Sequence, residues 1–144
     1  MLRRNLFRGA LATAAGVFTL GARAEAPARQ RVAYHLSDLD KVSFVLGNLR
    51  NHVNATGGPG GADLVLVVHG PALEAFTKKS ANAEFTKRLA DATNSGVQLN
   101  ACGNTMRAMS LELADLLPGF VRFDQGGVVR LTELQMQGYS YLRP

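Results

Sequence analysis

The chain has 144 residues, of which 47% are hydrophobic and 19% charged, a composition that fits one globular domain with a hydrophobic core. Its formal net charge of +5 arises at the N-terminus, because residues 1–24 contain four arginines and no acidic side chain. Residues 25–144 carry 12 basic and 11 acidic side chains, so their balanced charge argues against a nucleic acid or an anionic membrane surface as a partner.

Residues 1–24 have the pattern of an export signal. MLRRNLFRG is basic, ALATAAGVFTLGA is a run of small apolar residues, and ARA at its end is a small-x-small cleavage site. The apolar run is shorter than the ~20 residues that a membrane-spanning helix needs. Two apolar residues and a basic one follow Arg3-Arg4, which resembles a twin-arginine signal. We expect twin-arginine export, cleavage after Ala24, a periplasmic location and no stable membrane insertion afterwards; an ordinary secretory signal or an uncleaved anchor is the alternative.

The remaining chain alternates between strand and helix patterns. Residues 25–29 are rich in Ala and Pro and predict a tether, so the folded domain is expected to comprise residues 30–144. Apolar runs predict strands at 30–36, 63–69, 97–101 and 120–123. Helical spacing predicts helices from Ser37 or Asp38 to Thr56, and at 72–77, 81–94, 104–117 and 129–141. In the first helix, apolar residues at helical spacing are expected to face inward: Leu39, Val42, Val45, Leu46 and Leu49.

This order of elements predicts the fold class. Strands that alternate with helices form mainly parallel sheets with helices on both faces, because the crossovers are right-handed. The run DLVLVVH at 63–69 is typical of a strand that is buried on both faces of such a sheet. We therefore expect a single-domain α/β protein of the flavodoxin-like, three-layer type.

Three chemically active side chains are predicted to meet at one edge of the sheet. The first three strands end at or near His35, His69 and Cys102. In open parallel sheets, ligands bind outside the carboxyl ends of the strands. The third histidine, His52, lies in the first predicted helix and outside this group.

Cys102 is the only cysteine in the chain, so it cannot form an internal disulfide. It directly precedes a predicted helix whose unpaired amides and dipole favour the thiolate and lower the pKa of the thiol. We take Cys102 as the reactive group, with Gly103, Asn104, Thr105 and Gly70 as candidate ligand contacts. The structural alternatives are a small buried hydrophobic residue or an intermolecular bridge for Cys102, a hydrogen bond to a loop carbonyl for His69 and a structural role for His35.

Standard cofactor and catalytic motifs are absent from the sequence. It contains no GxSxG, no Walker loop, no GxGxxG after a strand and no CxxC, so we predict no cofactor. A metal site of His35, His69 and Cys102 would suit zinc or copper. No close-spaced pair of ligands supports such a site, and we predict no metal.

Three segments in order resemble the DsrE/DsrF-like family of sulfur-relay proteins, and in particular its small exported members. They are VLVVHGPAL at 65–73, GVQLNACGNTM at 96–106 and VVRLTELQMQGYSYLRP at 128–144. The resemblance implies a compact parallel α/β domain that assembles into homo- or hetero-oligomers, often trimers or hexamers, and we expect a homo-oligomer. It also implies that Cys102 matches the cysteine that accepts sulfane sulfur as a persulfide in the sulfur-transferring members.

The leading hypothesis is a periplasmic sulfur-handling protein that carries sulfane sulfur as a persulfide on Cys102. His69 and His35 would shuttle a proton or orient the acceptor. Such a protein is a carrier rather than an enzyme that turns over a small substrate, and its partner is a sulfur donor or acceptor protein or a small sulfur compound. The alternatives are a non-catalytic oligomeric binding module for a small ligand or metal at the same edge, and a scaffold in which Cys102 is unreactive.

Overall fold

The computed structural model describes residues 28–144; the predicted export signal and most of the predicted tether lie outside the described residues. The secondary-structure elements of this part, in chain order, are β1 (Gln30–Leu36), a 3-10 helix (Leu39–Lys41), α1 (Val42–Ala55), β2 (Ala62–Val68), a 3-10 helix (Gly70–Phe76), α2 (Ala83–Asn94), β3 (Gln98–Cys102), α3 (Gly103–Ala108), a 3-10 helix (Leu113–Asp115), β4 (Phe120–Phe123), α4 (Gly127–Met136) and β5 (Ser140–Leu142).

Residues 28–144 form a five-stranded sheet in the order β4-β3-β2-β1-β5, and every neighbouring pair is parallel. The predicted α/β class with a parallel sheet is confirmed. Since all these strands run the same way, their carboxyl ends lie along one edge of the sheet. The order places β3, β2 and β1 side by side in the middle, so the ends of these three strands are neighbours.

Helices cover both faces of the sheet, as the alternating pattern predicted. On one face of the described domain, a large cluster of buried side chains packs β1, β2 and β3 against α1 and α2. On the other face, a smaller cluster joins Ala33, Val65 and Val67 of the sheet to Leu131 and Leu134 of α4. Successive strand residues point to opposite faces, so β1 and β2 contribute to both clusters. Burial on both faces explains why β2 has a continuous aliphatic sequence rather than an alternating one.

The first helix starts later than its pattern predicted. Leu39–Lys41 is a 3-10 turn and α1 begins only at Val42. Leu39 therefore lies off the apolar face and is 47% exposed, which corrects the expectation that it faces inward. The other residues expected to face inward are buried: Val42, Val45, Leu46 and Leu49.

The prediction of one helix over 104–117 is wrong, because α3 ends at Ala108. Ser110 takes the left-handed conformation with φ 54°, and the amide of Leu111 donates to the carbonyl of Met106 at 2.8 Å. This is the Schellman arrangement that closes many helices, usually with glycine at the left-handed position. A serine there gave no signal in the sequence.

The prediction of a terminal helix over 129–141 is also wrong. The chain leaves α4 through Gly138, which has φ 88°, while the amide of Tyr139 donates to the carbonyl of Leu134 at 3.0 Å. Residues Ser140–Leu142 then form β5 and pair in parallel with β1. As a result, the C-terminal residues reach the same edge of the sheet as His35. No helix between residues 28 and 144 has the length and apolar character needed to cross a membrane.

Candidate functional site

The sheet brings the three predicted site residues to one edge. His35 is the penultimate residue of β1, His69 directly follows β2, and Cys102 is the last residue of β3. His52 lies on α1, where its ring nitrogens bond Tyr34 Oη at 2.8 Å and Gln30 Oε1 at 2.7 Å. The edge placement follows from the parallel topology, since the first three strands are also neighbours in space.

Cys102 lies where β3 passes into α3 and is 5% exposed. Burial raises the pKa of its thiol, but hydrogen bonds from the Thr105 hydroxyl and from the amides of Thr105, Gly127 and Asn104 outweigh burial and hold the pKa below its ordinary value. Two of these amides belong to α3 and the third to the first residue of α4. The sulfur therefore faces the N-termini of two helices, and it belongs to neither hydrophobic cluster of the domain.

Two glycines that sequence reasoning did not assign to the site bring α4 against the cysteine. A Cβ on Gly127 would lie 3.4 Å from the Cβ of Cys102 and 3.3 Å from the Cβ of His69. Gly126 has φ 103°, and a Cβ there would lie 2.5 Å from Asn104 Nδ2 and 3.7 Å from Cys102 Sγ. Glycine at these two positions allows the start of α4 to approach closely, so that the Gly127 amide reaches the sulfur. The sequence shows only a Gly-Gly pair after the fourth strand, which is typical of a break between elements.

The candidate ligand contacts around Cys102 are occupied by neighbouring protein groups. The Thr105 hydroxyl accepts from the Gly70 amide at 2.9 Å and so joins the loop that carries His69 to the start of α3. Asn104 Oδ1 accepts a hydrogen bond from Arg107. A Cβ on Gly103 would lie 2.8 Å from the carbonyl oxygen of Phe123, so this glycine allows close packing of the connection after β4. These residues therefore form the structure around the sulfur, and their polar groups already bind other protein groups.

The two edge histidines form a pair. Their Nε2 atoms are 2.5 Å apart, and the two rings meet edge to edge with centroids 4.7 Å apart and planes 22° from parallel. His35 Nδ1 bonds Tyr141 Oη at 2.6 Å on the other side of the ring. Tyr141 comes from β5, so the C-terminal strand contributes directly to this group.

Both imidazoles are held in the neutral state. Burial, then the charge of His69 and then that of Arg143 lower the pKa of His35 to about 4, with a smaller opposite effect of Asp38. Burial and then Arg143 lower the pKa of His69, again opposed by Asp38. At neutral pH the edge therefore carries two uncharged imidazoles, which can donate or accept a proton.

Arg143 is a further residue that sequence reasoning missed at this edge. Its Nη2 donates to Asp38 Oδ2 at 3.0 Å and to Ser37 Oγ at 3.1 Å, in the turn that follows β1. Because the tail was expected to be helical, neither Tyr141 nor Arg143 could be placed near the histidines from the sequence. The tail sequence SYLRP offered no recognisable motif for such a role.

The arrangement can supply a nucleophile and a proton carrier. Within the described part of the chain, no three or more His, Cys, Asp or Glu side chains are grouped so that they could hold a metal ion. What the edge does provide is a hydrogen-bonded sulfur with a lowered thiol pKa and a neutral imidazole pair that begins beside it. These are the groups that nucleophilic sulfur chemistry requires.

The described residues thus define a small parallel α/β domain with a cysteine between a central strand and a helix N-terminus. The sequence profile of the DsrE/DsrF-like family matches residues 18–144. The chain therefore belongs to the DsrE/DsrF-like family, which is associated with sulfur relay in general, and the predicted resemblance is confirmed.

Solved structures with the same fold include three bacterial and archaeal proteins. The protein of unknown function MTH1491 from Methanobacterium thermoautotrophicum matches with a TM-score of 0.68 and 27% identity, covering 80% of this chain and 99% of that one. The ychN protein from E. coli matches with a TM-score of 0.59 and 13% identity over 80% of this chain and 99% of that one. BT1422 from Bacteroides thetaiotaomicron, also of unknown function, matches with a TM-score of 0.58 and 15% identity, covering 79% of this chain and 95% of that one. No curated protein matches the sequence.

Proposed function

We propose that this protein is a sulfur carrier that holds sulfane sulfur as a persulfide on Cys102. The observation that carries the proposal is the hydrogen bonding of the sulfur. Sγ accepts hydrogen bonds from the Thr105 hydroxyl and from three backbone amides, and these bonds lower the pKa of the thiol. A thiolate is the form of cysteine that attacks sulfur, and the same donors stabilise it as a leaving group. Membership of a family associated with sulfur relay supports this chemistry.

Loading is a simple exchange between sulfur atoms. The Cys102 thiolate attacks the outer sulfur of a donor R–S–SH, a bond forms between Sγ and that sulfur, and the S–S bond of the donor breaks. The electron pair of the broken bond leaves on R–S⁻, and Cys102 becomes Cys–S–SH. Unloading repeats the step with an acceptor thiolate as the nucleophile and Cys102 as the leaving group. Neither direction needs an oxidant or a reductant.

The histidine pair gives the exchange a proton carrier. His69 packs against Gly127 beside Cys102, and its Nε2 shares a hydrogen bond with Nε2 of His35. A leaving thiolate gains a proton and an incoming thiol loses one during the two half-reactions. A neutral imidazole can serve both, because it has one N–H donor and one lone-pair acceptor.

The proposal includes the location and the partners. Twin-arginine export to the periplasm rests on the pattern of residues 1–24. A homo-oligomer, a trimer or a hexamer, rests on the family resemblance and on apolar side chains that α4 leaves in contact with solvent, Val128 at 67% and Met136 at 84% exposure. A donor or acceptor protein, or a small sulfur compound, would meet this assembly at the carboxyl edge of the sheet.

Mass spectrometry of the intact protein tests the carrier function. After incubation with inorganic polysulfide and removal of excess reagent, the protein should gain the mass of one sulfur atom, and a reductant should remove it. The Cys102→Ser variant should gain none. Failure of the wild-type protein to gain sulfur under conditions that load an established carrier contradicts the proposal. A Cys102→Ser variant that still binds the natural ligand of the protein would favour the binding module instead.

A further inference from the structure

The C-terminal strand places a phenol against the histidine pair. Tyr141 is the register partner of Ala33 in the parallel β5–β1 ladder. Because residues two apart on a strand share a face, His35 lies on the same face of β1 as Ala33. The Tyr141 hydroxyl therefore reaches His35 Nδ1 at 2.6 Å, with the two ring centroids 5.7 Å apart. Tyr141, His35 and His69 form one continuous chain of hydrogen bonds.

The chemistry of the three groups sets the direction of these bonds. A phenol O–H, with a pKa of about 10, is a far better donor than the N–H of a neutral imidazole, and an imidazole lone pair is a far better acceptor than a phenol oxygen. Tyr141 therefore donates and His35 Nδ1 accepts. A neutral His35 that accepts at Nδ1 carries its proton on Nε2, and that N–H points at Nε2 of His69. Nε2 of His69 must then be the acceptor, so His69 carries its own proton on Nδ1.

We propose that Tyr141 is a positioning residue of the site, whose hydroxyl fixes the His35 proton on Nε2 and thereby makes the unusual Nδ1–H form of His69 the resting state. The pair then shares one transferable proton between two Nε2 atoms. The positions of the ring protons do not depend on the proposed sulfur carriage. Only the use of the shared proton rests on that function, namely protonation of a leaving thiolate and deprotonation of an incoming thiol.

The charges around the pair are consistent with this assignment. The groups that face it are Tyr141 from β5, Arg143 from the C-terminus and Asp38 from the turn after β1. Arg143 is bound to Asp38, so their opposite charges largely offset each other. Burial and the charge of Arg143 lower the pKa of both histidines, which is consistent with a pair that carries no charge at neutral pH.

Long-range proton–nitrogen correlation NMR on protein with ¹⁵N-labelled histidine reads the position of each ring proton directly. At neutral pH we expect His35 to be Nε2–H and His69 to be Nδ1–H. His52 serves as an internal reference, because Tyr34 Oη lies at its Nδ1 and the acceptor Gln30 Oε1 at its Nε2, which requires the Nε2–H form. His69 should thus be the single histidine with its proton on Nδ1.

The Tyr141→Phe variant removes the donor and keeps the ring. We expect its His69 to lose the Nδ1–H preference, and the pKa of His35 to rise by about half to one unit, because the neutral ring loses one hydrogen bond of about 1 kcal/mol. Tyr139→Phe is the matched control, since Tyr139 lies two residues earlier, under the guanidinium of Arg31, and away from the pair. A wild-type His69 with its proton on Nε2, or a Tyr141→Phe spectrum equal to that of the wild type, overturns the proposal.

The same experiment on Cys102→Ser separates this inference from the proposed function. The proton positions should be unchanged in that variant, because they depend on Tyr141 and not on sulfur. In the wild-type background, the acidic limb of the pH profile for sulfur loading should shift upward with Tyr141→Phe and stay in place with Tyr139→Phe. If Cys102 takes up no sulfur while the proton positions are as expected, the carrier function fails and the role of Tyr141 stands.

Discussion

The side chains of Cys102 and His69 both lie against the same residue, Gly127 at the start of α4. A β-carbon at that position would come within 3.4 Å of the Cβ of Cys102 and 3.3 Å of the Cβ of His69. The position of α4 on the sheet therefore affects the packing of both the Cys102 thiol and the His69 imidazole. The absence of a side chain at Gly127 allows α4 to approach the sheet closely at this point.

Gly127→Ala should disturb both groups. The added methyl would lie in tighter contact than is usual with the side chains of Cys102 and His69, so α4 and these side chains should move apart slightly. This movement draws the Gly127 amide away from the sulfur, raises the pKa of Cys102 and costs about 1–3 kcal/mol of stability. Urea unfolding and the ultraviolet absorbance of the thiolate as a function of pH measure the two effects. Gly47→Ala is the control, because nothing lies within 4 Å of a Cβ there. It should stabilise α1 by about 0.5–1 kcal/mol and leave the thiol unchanged.

Thr105→Val should raise the pKa of Cys102, because it removes the hydroxyl that donates to the sulfur and keeps the shape of the side chain. It also leaves the Gly70 amide without its acceptor, so stability should fall by about 1–3 kcal/mol. Alkylation rate against pH reports the pKa. Thr105→Ser retains the hydroxyl and should behave like the wild type; equal alkylation profiles for the valine and serine variants would show that the hydroxyl does not act on the sulfur.

Stability should depend on pH through the histidine pair. His35 has a pKa of about 4 in the folded protein and about 6.5 when unfolded, so the unfolded chain binds more protons between these values. The contribution to stability is complete above pH 6.5 and is lost as the pH falls towards 4. Because the ring is partly solvated, we expect a loss of about 1 kcal/mol for His35, with a further loss from His69.

Chemical unfolding at pH 7 and pH 5 measures this loss. The His35→Gln variant should show a smaller difference between the two pH values than the wild type. His52→Gln, which leaves the pair intact, should keep the wild-type difference. A wild-type protein that is equally stable at both pH values would contradict the depressed histidine pKa values.

The ion pair between Arg143 and Asp38 should tune the histidines more than it stabilises the fold. Both side chains are about half exposed, so breaking the pair should cost only about 0.2–1 kcal/mol. Arg143→Gln removes a charge that lowers the pKa of both His35 and His69, so both values should rise; Asp38→Asn should shift them in the opposite direction. NMR titration of the histidines measures the direction of each pKa shift.

Arg88→Gln is a control, because Arg88 donates hydrogen bonds to Ser43 on α1 and lies outside the histidine pair. Shifts of equal sign in the Arg143 and Asp38 variants would argue against an electrostatic origin.

The sheet was largely predictable because its strands are apolar runs bounded by turn residues. The bounds of β1 and β4 are those predicted, and β2 and β3 differ by one residue at each end. The parallel topology then follows from the alternation with helices, and it is sufficient to bring His35, His69 and Cys102 to one edge. The C-terminal strand was not predictable: β5 is three residues long and exposed throughout, so it has no apolar pattern of its own.

The sequence by itself determined the first four strands and therefore which three side chains stand at the carboxyl ends of the first three, since hydrophobic periodicity is a local property of the chain. Only the tertiary structure decided what surrounds those side chains. The amide of Gly127 reaches Cys102 because α4 packs back on the sheet, and Tyr141 reaches His35 because β5 pairs with a strand that lies more than a hundred residues earlier. Contacts of this kind depend on the close approach of distant backbone segments, which no local pattern encodes.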